Sequence, residues 1–176
     1  MPMIDAYIPE GALQTEAEAM LCKSLTDILL RAEGFDPSNP IAQSVSVIFL
    51  HRPAAIFVGG VRSSVPYYRI VPSVPEGQYD NLSRQTLVKA VTEAVAQAEG
   101  SVFEEVAARV WVFPTEVTDG EWGSRGVIRH LPDIQAFIAG EHQRQVGNDR
   151  LAKRRRDKAL LMLAAMLDAT GCTRGS

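Results

Sequence analysis

The sequence has few of the features that mark secreted, membrane-spanning or nucleic-acid-binding proteins. It has two cysteines in 176 residues, Cys22 and Cys172, which form neither a disulfide framework nor a metal-ligand spacing. Its 18 lysines and arginines are outnumbered by 21 aspartates and glutamates, for a formal net charge of −3. A general nucleic-acid binder is expected to be basic instead, so we expect no nucleic-acid partner.

Long apolar runs are absent as well. No stretch of about 18 uninterrupted apolar residues is present, and the start lacks the basic and apolar segments of a signal peptide, so we expect a cytoplasmic protein without a membrane partner. The glycines at 59–60 and 123–126 lack the spacing of a phosphate-binding loop, and we expect neither a cofactor nor a metal. The remaining composition, 46% hydrophobic and 22% charged, is that of a globular domain with one core.

The sequence repeats itself at an offset of 66 residues. Three pairs of segments correspond at this offset: 8–13 with 74–79, 24–29 with 90–95, and 45–47 with 111–113. Each copy has the pattern of a strand, a Pro-Glu-Gly turn, a helix and a second strand, which indicates a right-handed parallel crossover. One repeat unit cannot usually bury its own apolar face. The pattern therefore predicts an α/β fold in which two tandem β-α-β units form a four-stranded sheet with two helices on one face.

The helices and second strands of the two copies are predicted from periodicity. Apolar residues recur at spacings of three and four at Ala17, Met20, Leu21, Leu25, Ile28 and Leu29, and again at Leu82, Leu87, Val91, Ala94, Val95 and Ala98. This spacing marks one apolar helix face, and Gly34 and Gly100 stand where each helix is expected to end. The short apolar runs 46–50 and 110–113 are typical of strands with little water on either side.

The repeat also sets the expected domain boundaries. We expect one domain over 1–140, containing the copies 2–60 and 66–126, followed by a polar linker and an appended C-terminal helix over 141–176. Within that tail, 150–169 reads as a helix with a basic start at Lys153–Arg156 and an apolar end at Leu160–Leu163. We expect it to pack on an oligomer or a partner, and contact with a membrane surface or nucleic acid is the alternative.

Pro2 stands directly after the initiator methionine and opens the first predicted strand. If Met1 is removed, the proline nitrogen becomes a rigidly held secondary amine. A terminal amine has a pKa of roughly 8, and burial or nearby cations lower that pKa toward the value that suits a general base near neutral pH. At the offset of 66, Pro2 corresponds to Tyr68, so only the first copy can offer a free amine.

Pro2, the repeat and the segment 112–126 together resemble the tautomerase superfamily, whose members have a catalytic amino-terminal proline. The segment 112–126 resembles the strand, turn and glycine-rich hairpin of 4-oxalocrotonate tautomerase (4-OT), and 47–60 is a weaker version of it. Two fused copies, His51-Arg52-Pro53 after the second strand, and the late residues Trp122 and Arg125 are most similar to the branch that holds malonate semialdehyde decarboxylase and the cis-3-chloroacrylic acid dehalogenases.

The resemblance implies a cofactor-free tautomerase, an isomerase of small enol or dienol carboxylic acids, that works as a homotrimer with Pro2 as general base. Arginines would hold the substrate carboxylate in two-pronged contacts. Two alternatives stay open. In one, a protonated Pro2 acts as an acid in a hydratase-like or other lyase reaction on an unsaturated acid. In the other, the chain is a non-catalytic member of the family that binds or assembles with other molecules.

The sequence departs from the family pattern where the polar site residues are expected. The arginines of the turn, the aspartate of the decarboxylase and the helix histidine of the dehalogenases are replaced by Ala12, Gln78, Pro75, Glu76, Gln43 and Leu29. Decarboxylation and dehalogenation by the known routes are therefore disfavoured. The usual carboxylate clamp is missing from the turn.

Other residues are candidates to complete the site. We rank Arg69, Arg125 and Arg62 as replacements for the missing clamp, ahead of His51 and Arg52. Aromatic walls are expected from Trp122 and Tyr68. Each arginine could instead be an exposed surface residue, and each aromatic residue could belong to the core.

Overall fold

The computed structural model describes residues 2–169, and the chain folds into two compact units that divide between Val117 and Thr118. The first unit contains β1 (Met3–Tyr7), α1 (Thr15–Glu33), α2 (Pro40–Ser44), β2 (Val47–His51), β3 (Phe57–Val58), β4 (Val61–Arg62), β5 (Tyr68–Pro75), α3 (Asn81–Glu99), α4 (Phe103–Ala107), β6 (Val110–Val112) and β7 (Thr115–Val117). The second contains β8 (Gly123–Ser124), β9 (Val127–Ile128), α5 (Leu131–Ala139), a 3-10 turn (Glu141–Gln143) and α6 (Arg144–Ala169).

The main strands of the first unit form one mixed sheet in the order β2-β1-β5-β6, and β7 also pairs with β5. β1 is parallel to β2 and antiparallel to β5, while β5 is parallel to β6 and β7. Helices α1 and α3 connect the two parallel pairs β1–β2 and β5–β6, as β-α-β units require. The predicted α/β sheet of two tandem units is confirmed, with β7 as a fifth strand and β3–β4 as a separate two-stranded ribbon.

The core lies between the sheet and its two long helices. Ile4 and Ala6 of β1 and Ile70 of β5 alternate inward, where they join Leu25 of α1 and Val91 of α3 in one buried cluster. Successive residues of a strand point to opposite faces of the sheet, so the burial of every second residue of β1 shows that the helices cover one face only. The prediction of two helices on one face is confirmed.

Both long helices end where the sequence indicated. Gly34 and Gly100 adopt φ values of 83° and 69° at the ends of α1 and α3, a left-handed conformation that glycine adopts without steric cost. At the start of α3 the Asp80 side chain accepts a hydrogen bond from the Ser83 backbone N–H, and the Ser83 side chain accepts one from the Asp80 N–H. This capping box fixes the entry of α3 directly after β5 and its turn.

The second face of the sheet is not covered by any helix of the first unit. Val47, Phe49 and Trp111 are partly exposed there, and their register partners Met3, Asp5 and Arg69 share that face. Alternation of apolar and polar residues usually gives a solvated face that is polar. This open face is instead largely apolar and aromatic, which is typical of a surface that another molecule covers.

The repeat does not keep one offset over its whole length. The offset of 66 holds for α1 and α3, but Met3 pairs with Val47, 44 residues later, whereas Arg69 pairs with Trp111, 42 residues later. The second strands therefore correspond at an offset of 64. The expected match of 45–47 with 111–113 is wrong by two residues, because the first copy has two more residues between its helix and its second strand.

In the second unit, the two-stranded hairpin β8–β9 precedes two packed helices. Leu131, Ile134 and Ile138 of α5 are buried, and Gly147 of α6 lies against the backbone of Pro132. Because α5 packs on α6, the compact units divide at residue 117, earlier than the domain boundary that we expected at residue 140.

The tail prediction is confirmed as a helix, since the segment 150–169 lies within α6. Its basic start is partly paired, with Lys153 bonded to Asp157 and Arg155 to Asp119. Its apolar end at Leu160–Leu163 is exposed, and packing of this end on an oligomer or a partner stays a prediction. None of the helices in that range is long and apolar enough to cross a bilayer. Cys172 and Met1 lie outside the described residues.

Candidate active site

Pro2 is buried immediately before β1, as the sequence predicted. Its carbonyl oxygen accepts a hydrogen bond of 3.2 Å from the Val47 backbone N–H, which ties the residue to the neighbouring strand. Met3 lies opposite Ser73 of β5 in an antiparallel register, so Pro2 falls beside Val74. The end of the sheet that holds Pro2 is therefore also the end at which β5 finishes.

The turn 75–78 follows β5 at this end of the sheet. It contains Glu76 and Gln78, which are 4% and 5% exposed. Gln78 donates a hydrogen bond of 3.1 Å from Nε2 to the Glu33 carboxylate at the end of α1, and Glu33 is itself fully buried. At two of the positions where the family resemblance implies arginine, the site thus has a buried carboxylate and an amide committed to another carboxylate.

Glu116 of β7 fixes the shape of this turn. Its Oε1 accepts hydrogen bonds from the backbone N–H groups of Gly77 at 2.9 Å and Tyr79 at 3.3 Å, and its Oε2 accepts one from Arg84 at 2.8 Å. Burial raises the pKa of the Tyr79 phenol, and the Glu33 carboxylate raises it further. No role for Glu116 follows from the sequence pattern, whereas the structure shows it as the residue that joins the turn, the sheet and helix α3.

Arg69 lies far from Pro2 within one protomer. It is opposite Tyr7, the last residue of β1, and five residue steps of about 3.4 Å place it roughly 17 Å along the strand from Pro2. Its guanidinium carbon is 4.7 Å from the centroid of the Tyr7 ring and 5.4 Å from that of Phe113. The predicted substrate clamp of Arg69 on a Pro2-bound ligand does not form within one chain.

Arg62 also lies beyond the Tyr7 end of β1. Together with Arg52 it lines a cleft of about 690 Å³ between the turn 9–12 and the segment 52–66. The Arg52 guanidinium donates two hydrogen bonds, of 2.5 and 2.6 Å, to Glu18, and these bonds hold the pKa of that carboxyl below its usual range. The structure does not bring Arg62 to Pro2 within the first unit.

Tyr68, the counterpart of Pro2 in the second copy, is fully buried in the core. Burial raises the pKa of its phenol, and the nearby Glu99 carboxylate raises it further. Glu99 is itself held by two hydrogen bonds from Arg109, of 2.9 and 2.7 Å. Tyr68 therefore has the surroundings of a core tyrosine, and a contact with substrate stays a prediction.

Arg125 and Trp122 lie in the second unit, around the hairpin β8–β9. Arg125 has a φ of 52°, and its guanidinium carbon is 5.3 Å from the ring centroid of Phe137. Trp122 is 8% exposed, and its carbonyl oxygen accepts a hydrogen bond from the Arg129 N–H. The hairpin expected from the sequence is present, and the roles of both residues in substrate binding stay predictions.

Sequence reasoning missed one polar pair on the open face. His51 Nε2 and Asp5 Oδ1 are 2.6 Å apart, and the His51 ring stacks on Tyr7 with centroids 4.3 Å apart and planes 11° apart. The sequence pattern ranks His51 behind the three arginines and does not single out Asp5. The parallel register of β1 and β2 brings them together, and the available signal was the alternation of the two strands. Within the described residues, no group of three or more histidine, cysteine or acidic side chains is arranged to hold a metal ion.

No protein-family model matches the sequence, and no curated protein sequence matches it either. Solved structures do match. A fused 4-OT described as a wild-type asymmetric trimer is 19% identical, with a TM-score of 0.57, over 72% of this chain and 94% of that one.

Two further structures match to the same degree. Pt0534 inactivated by 2-oxo-3-pentynoate is 18% identical over 72% of this chain and 94% of that one, with a TM-score of 0.58. The macrophage migration inhibitory factor of Toxoplasma gondii is 16% identical over 72% and 99%, with a TM-score of 0.56. The chain shares the fold of these three proteins. At these identities the likeness establishes the fold alone, and the chemistry must be argued from the residues of this chain.

Proposed function

We propose that the protein is a cofactor-free tautomerase of a small enol or dienol carboxylic acid, in which the amine of Pro2 transfers the proton after Met1 is removed. The observation that carries the proposal is the position of Pro2, buried at the head of β1 beside Val74 and the turn 75–78. This position occurs in a fold that fused 4-OT shares.

The reaction needs only one group that accepts and returns a proton. A neutral Pro2 nitrogen takes the proton from the enol hydroxyl, and the electron pair of the O–H bond forms the second bond of the carbonyl. The electron pair of the carbon–carbon double bond shifts toward the carbon that will receive the proton. The protonated nitrogen then returns the proton to carbon. Atoms and charge balance without an oxidant or a reductant, and a positioned base of this kind contributes about 10²–10⁴-fold to the rate.

The residues around the turn 75–78 favour a second candidate function, in which Pro2 is protonated and acts as an acid. Arginines near the amine would lower its pKa, whereas a buried carboxylate raises it. The turn 75–78 supplies Glu76, and Gln78 is bonded to Glu33. A protonated Pro2 would act as an acid, which suits addition of water to an unsaturated acid better than proton abstraction.

The substrate carboxylate still needs a cation. Since Arg69 and Arg62 lie beyond the far end of β1, Arg125 remains of the three arginines that the sequence ranks first, with Trp122 as the apolar wall. We propose that both act from the hairpin β8–β9. A homotrimer, as in the trimeric fused 4-OT, would cover the open apolar face at Val47 and Phe49 of β2.

The test is the ketonisation of phenylenolpyruvate by protein whose intact mass shows that it begins at Pro2. We expect a rate well above that of buffer, a loss of about 10²–10⁴-fold in Pro2→Ala, and no loss in the control Pro40→Ala, which changes an exposed proline at the start of α2. A rate that rises with pH identifies a base and one that falls with pH identifies an acid.

The same assay decides against the proposal. No rate from mass-verified protein, or full activity in Pro2→Ala, would refute proton transfer by Pro2. Hydration of an unsaturated acid by that protein would then support the lyase, and inactivity toward both substrate classes would support a binding or assembly protein. Arg125→Gln is expected to raise KM more than it lowers kcat, since the arginine is proposed to bind the carboxylate equally in the ground state and in the transition state.

A further inference from the structure

We propose that the cleft at the start of β5 is a second small-molecule site, separate from Pro2, that binds an aromatic carboxylate through Arg69. The cleft has a volume of about 620 Å³, within the range of ligand sites. Its lining includes Tyr7, Phe57, Tyr67, Arg69, Trp111 and Phe113. This inference goes beyond the proposed function, which places the reaction at the other end of β1.

The repeat explains why a cleft occurs at this position. β5 of the second copy begins at Tyr68 as β1 of the first copy begins after Pro2, and the two strands run antiparallel. Equivalent ends of the two copies therefore lie at opposite ends of the sheet. The second copy has no terminal amine there, so its cleft can bind a ligand but lacks the proposed proton-transfer group.

The cleft contains one cation in an aromatic surround. Arg69 is exposed, and within residues 2–169 its guanidinium has no carboxylate partner, in contrast to Arg52, Arg84 and Arg109, which pair with glutamates. An unpaired guanidinium keeps its five N–H donors available, and its planar fork matches the two oxygens of a carboxylate.

The Arg69 guanidinium is held in position by a row of contacts that runs from Asp5 through the rings of His51 and Tyr7. Asp5 binds His51, the His51 ring stacks on Tyr7, and Arg69 lies over Tyr7 from the opposite strand. The row spans β2, β1 and β5 in register. Stacking occupies the face of the guanidinium and leaves its N–H edge free for a ligand, so little side-chain entropy remains to be lost on binding.

The aromatic side chains that line the cleft favour a ligand whose carboxylate is attached to a planar ring. Trp111 and Phe57 are 58% and 62% exposed, and Phe113 is 44% exposed, so aromatic surface is available for stacking. Offset or edge-on contacts between aromatic rings contribute beyond the area they bury. A ligand with one carboxylate conjugated to a planar ring fits these groups better than a sugar phosphate or a dication, for which the cleft offers one cation and no carboxylate.

The experiment uses trans-cinnamate as the probe and the full chain in its native assembly. Calorimetry gives Kd, and tryptophan fluorescence, to which Trp111 in the cleft and Trp122 in the second unit both contribute, is a second readout. We expect saturable binding at micromolar to millimolar concentration, a loss of about tenfold or more in Arg69→Gln, and a similar loss for the neutral probe cinnamamide. Arg62→Gln, in the neighbouring cleft, is the matched control and is expected to bind cinnamate as the parent does.

Variants at both ends of β1 separate this proposal from the proposed function. Binding that persists in Pro2→Ala and is lost in Arg69→Gln supports a second site, whatever the catalytic result. Binding lost in Pro2→Ala and kept in Arg69→Gln places the ligand at Pro2 and overturns the proposal, as does the absence of binding at millimolar cinnamate. Arg69→Lys keeps the positive charge but removes the paired N–H donors of the guanidinium. It is expected to bind with intermediate affinity, and affinity equal to that of the parent would overturn the two-pronged contact.

Discussion

Tyr7 and Arg69 lie directly opposite each other on β1 and β5, with the guanidinium carbon 4.7 Å from the ring centroid. The contact fixes Arg69 at the end of β1 that is farthest from Pro2. In sequence, Arg69 corresponds at the offset of 66 to Met3, the residue after Pro2. The antiparallel pairing of β1 and β5 sends equivalent residues of the two copies to opposite ends of the sheet.

Phe49→Asp is expected to dissociate the assembly. Phe49 is 49% exposed on the open face, opposite Asp5 in the register of β1 and β2, and a charge buried in an apolar interface without a partner is costly. Light scattering should show a mass of three chains of 19.2 kDa for the parent and of one chain for the variant. The control Phe103→Asp, on α4 outside the sheet, is expected to leave the mass unchanged. A parent that is monomeric would refute the proposed trimer.

Glu116→Ala is expected to lower the free energy of unfolding by about 2–3 kcal/mol, because it removes a charged acceptor from two backbone N–H groups and from Arg84. Urea denaturation measures the change. Glu93→Ala, which removes a half-exposed carboxylate 3.7 Å from Lys89, is the control and is expected to cost less than about 1 kcal/mol. Equal losses in the two variants would contradict the role of Glu116 in holding the turn.

Glu99 is expected to make stability depend on acid pH. Two hydrogen bonds from Arg109 hold the pKa of the Glu99 carboxyl below its ordinary value. A carboxyl with a lowered folded-state pKa stabilises the fold fully above its unfolded pKa of about 4.3, and this stabilisation is lost as the pH falls through the lower folded pKa. The fold should therefore lose this contribution below about pH 4.

The measurement compares urea denaturation of the parent and Glu99→Gln at pH 7 and pH 3. The parent should be more stable by about 1.5–3 kcal/mol at pH 7, since charged hydrogen bonds contribute about that much, and the difference should shrink at pH 3. Glu93→Gln is the matched control with a small effect at both pH values. A difference that stays constant or grows toward pH 3 would show that Arg109 does not act on Glu99 as described.

The parts of the fold that follow from local pattern were predictable from the sequence. The apolar spacing of Leu21, Leu25 and Leu29 gave α1, Gly34 and Gly100 gave the ends of both long helices, and the Pro-Glu-Gly turns gave the repeat. These signals lie within a few residues of one another, so they are independent of how the strands pair.

The parts that depend on pairing were not predictable in the same way. The two-residue difference between the copies shows only in the registers of Met3 with Val47 and of Arg69 with Trp111. The contact of Asp5 with His51 joins residues that are 46 positions apart, and Gln78 meets Glu33 across 45. Sequence spacing does not specify such contacts, and for that reason the ranking of the arginines could not place Arg69.

Gly147→Ala is expected to disturb the second unit although alanine is the better helix former. A Cβ at Gly147 would lie 2.6 Å from Pro132 Cα and 2.9 Å from Pro132 N, and backbone atoms cannot rotate away as the end of a side chain can. Alanine gains about 1 kcal/mol over glycine in a helix interior, whereas overpacking costs typically about 1–3 kcal/mol. We expect the steric cost to prevail and α5 to separate from α6.

Hydrogen exchange measures the effect locally. The amides of α5, around Ile134 and Ile138, should exchange faster in Gly147→Ala, while those of α1 in the first unit keep the rates of the parent. The control Ala164→Gly, at an exposed position of the same helix, should cost about 1 kcal/mol through helix propensity and leave α5 unchanged. Slower exchange in α5 of Gly147→Ala would show that propensity outweighs the contact, and hence that the close approach of α6 to Pro132 is not required for packing.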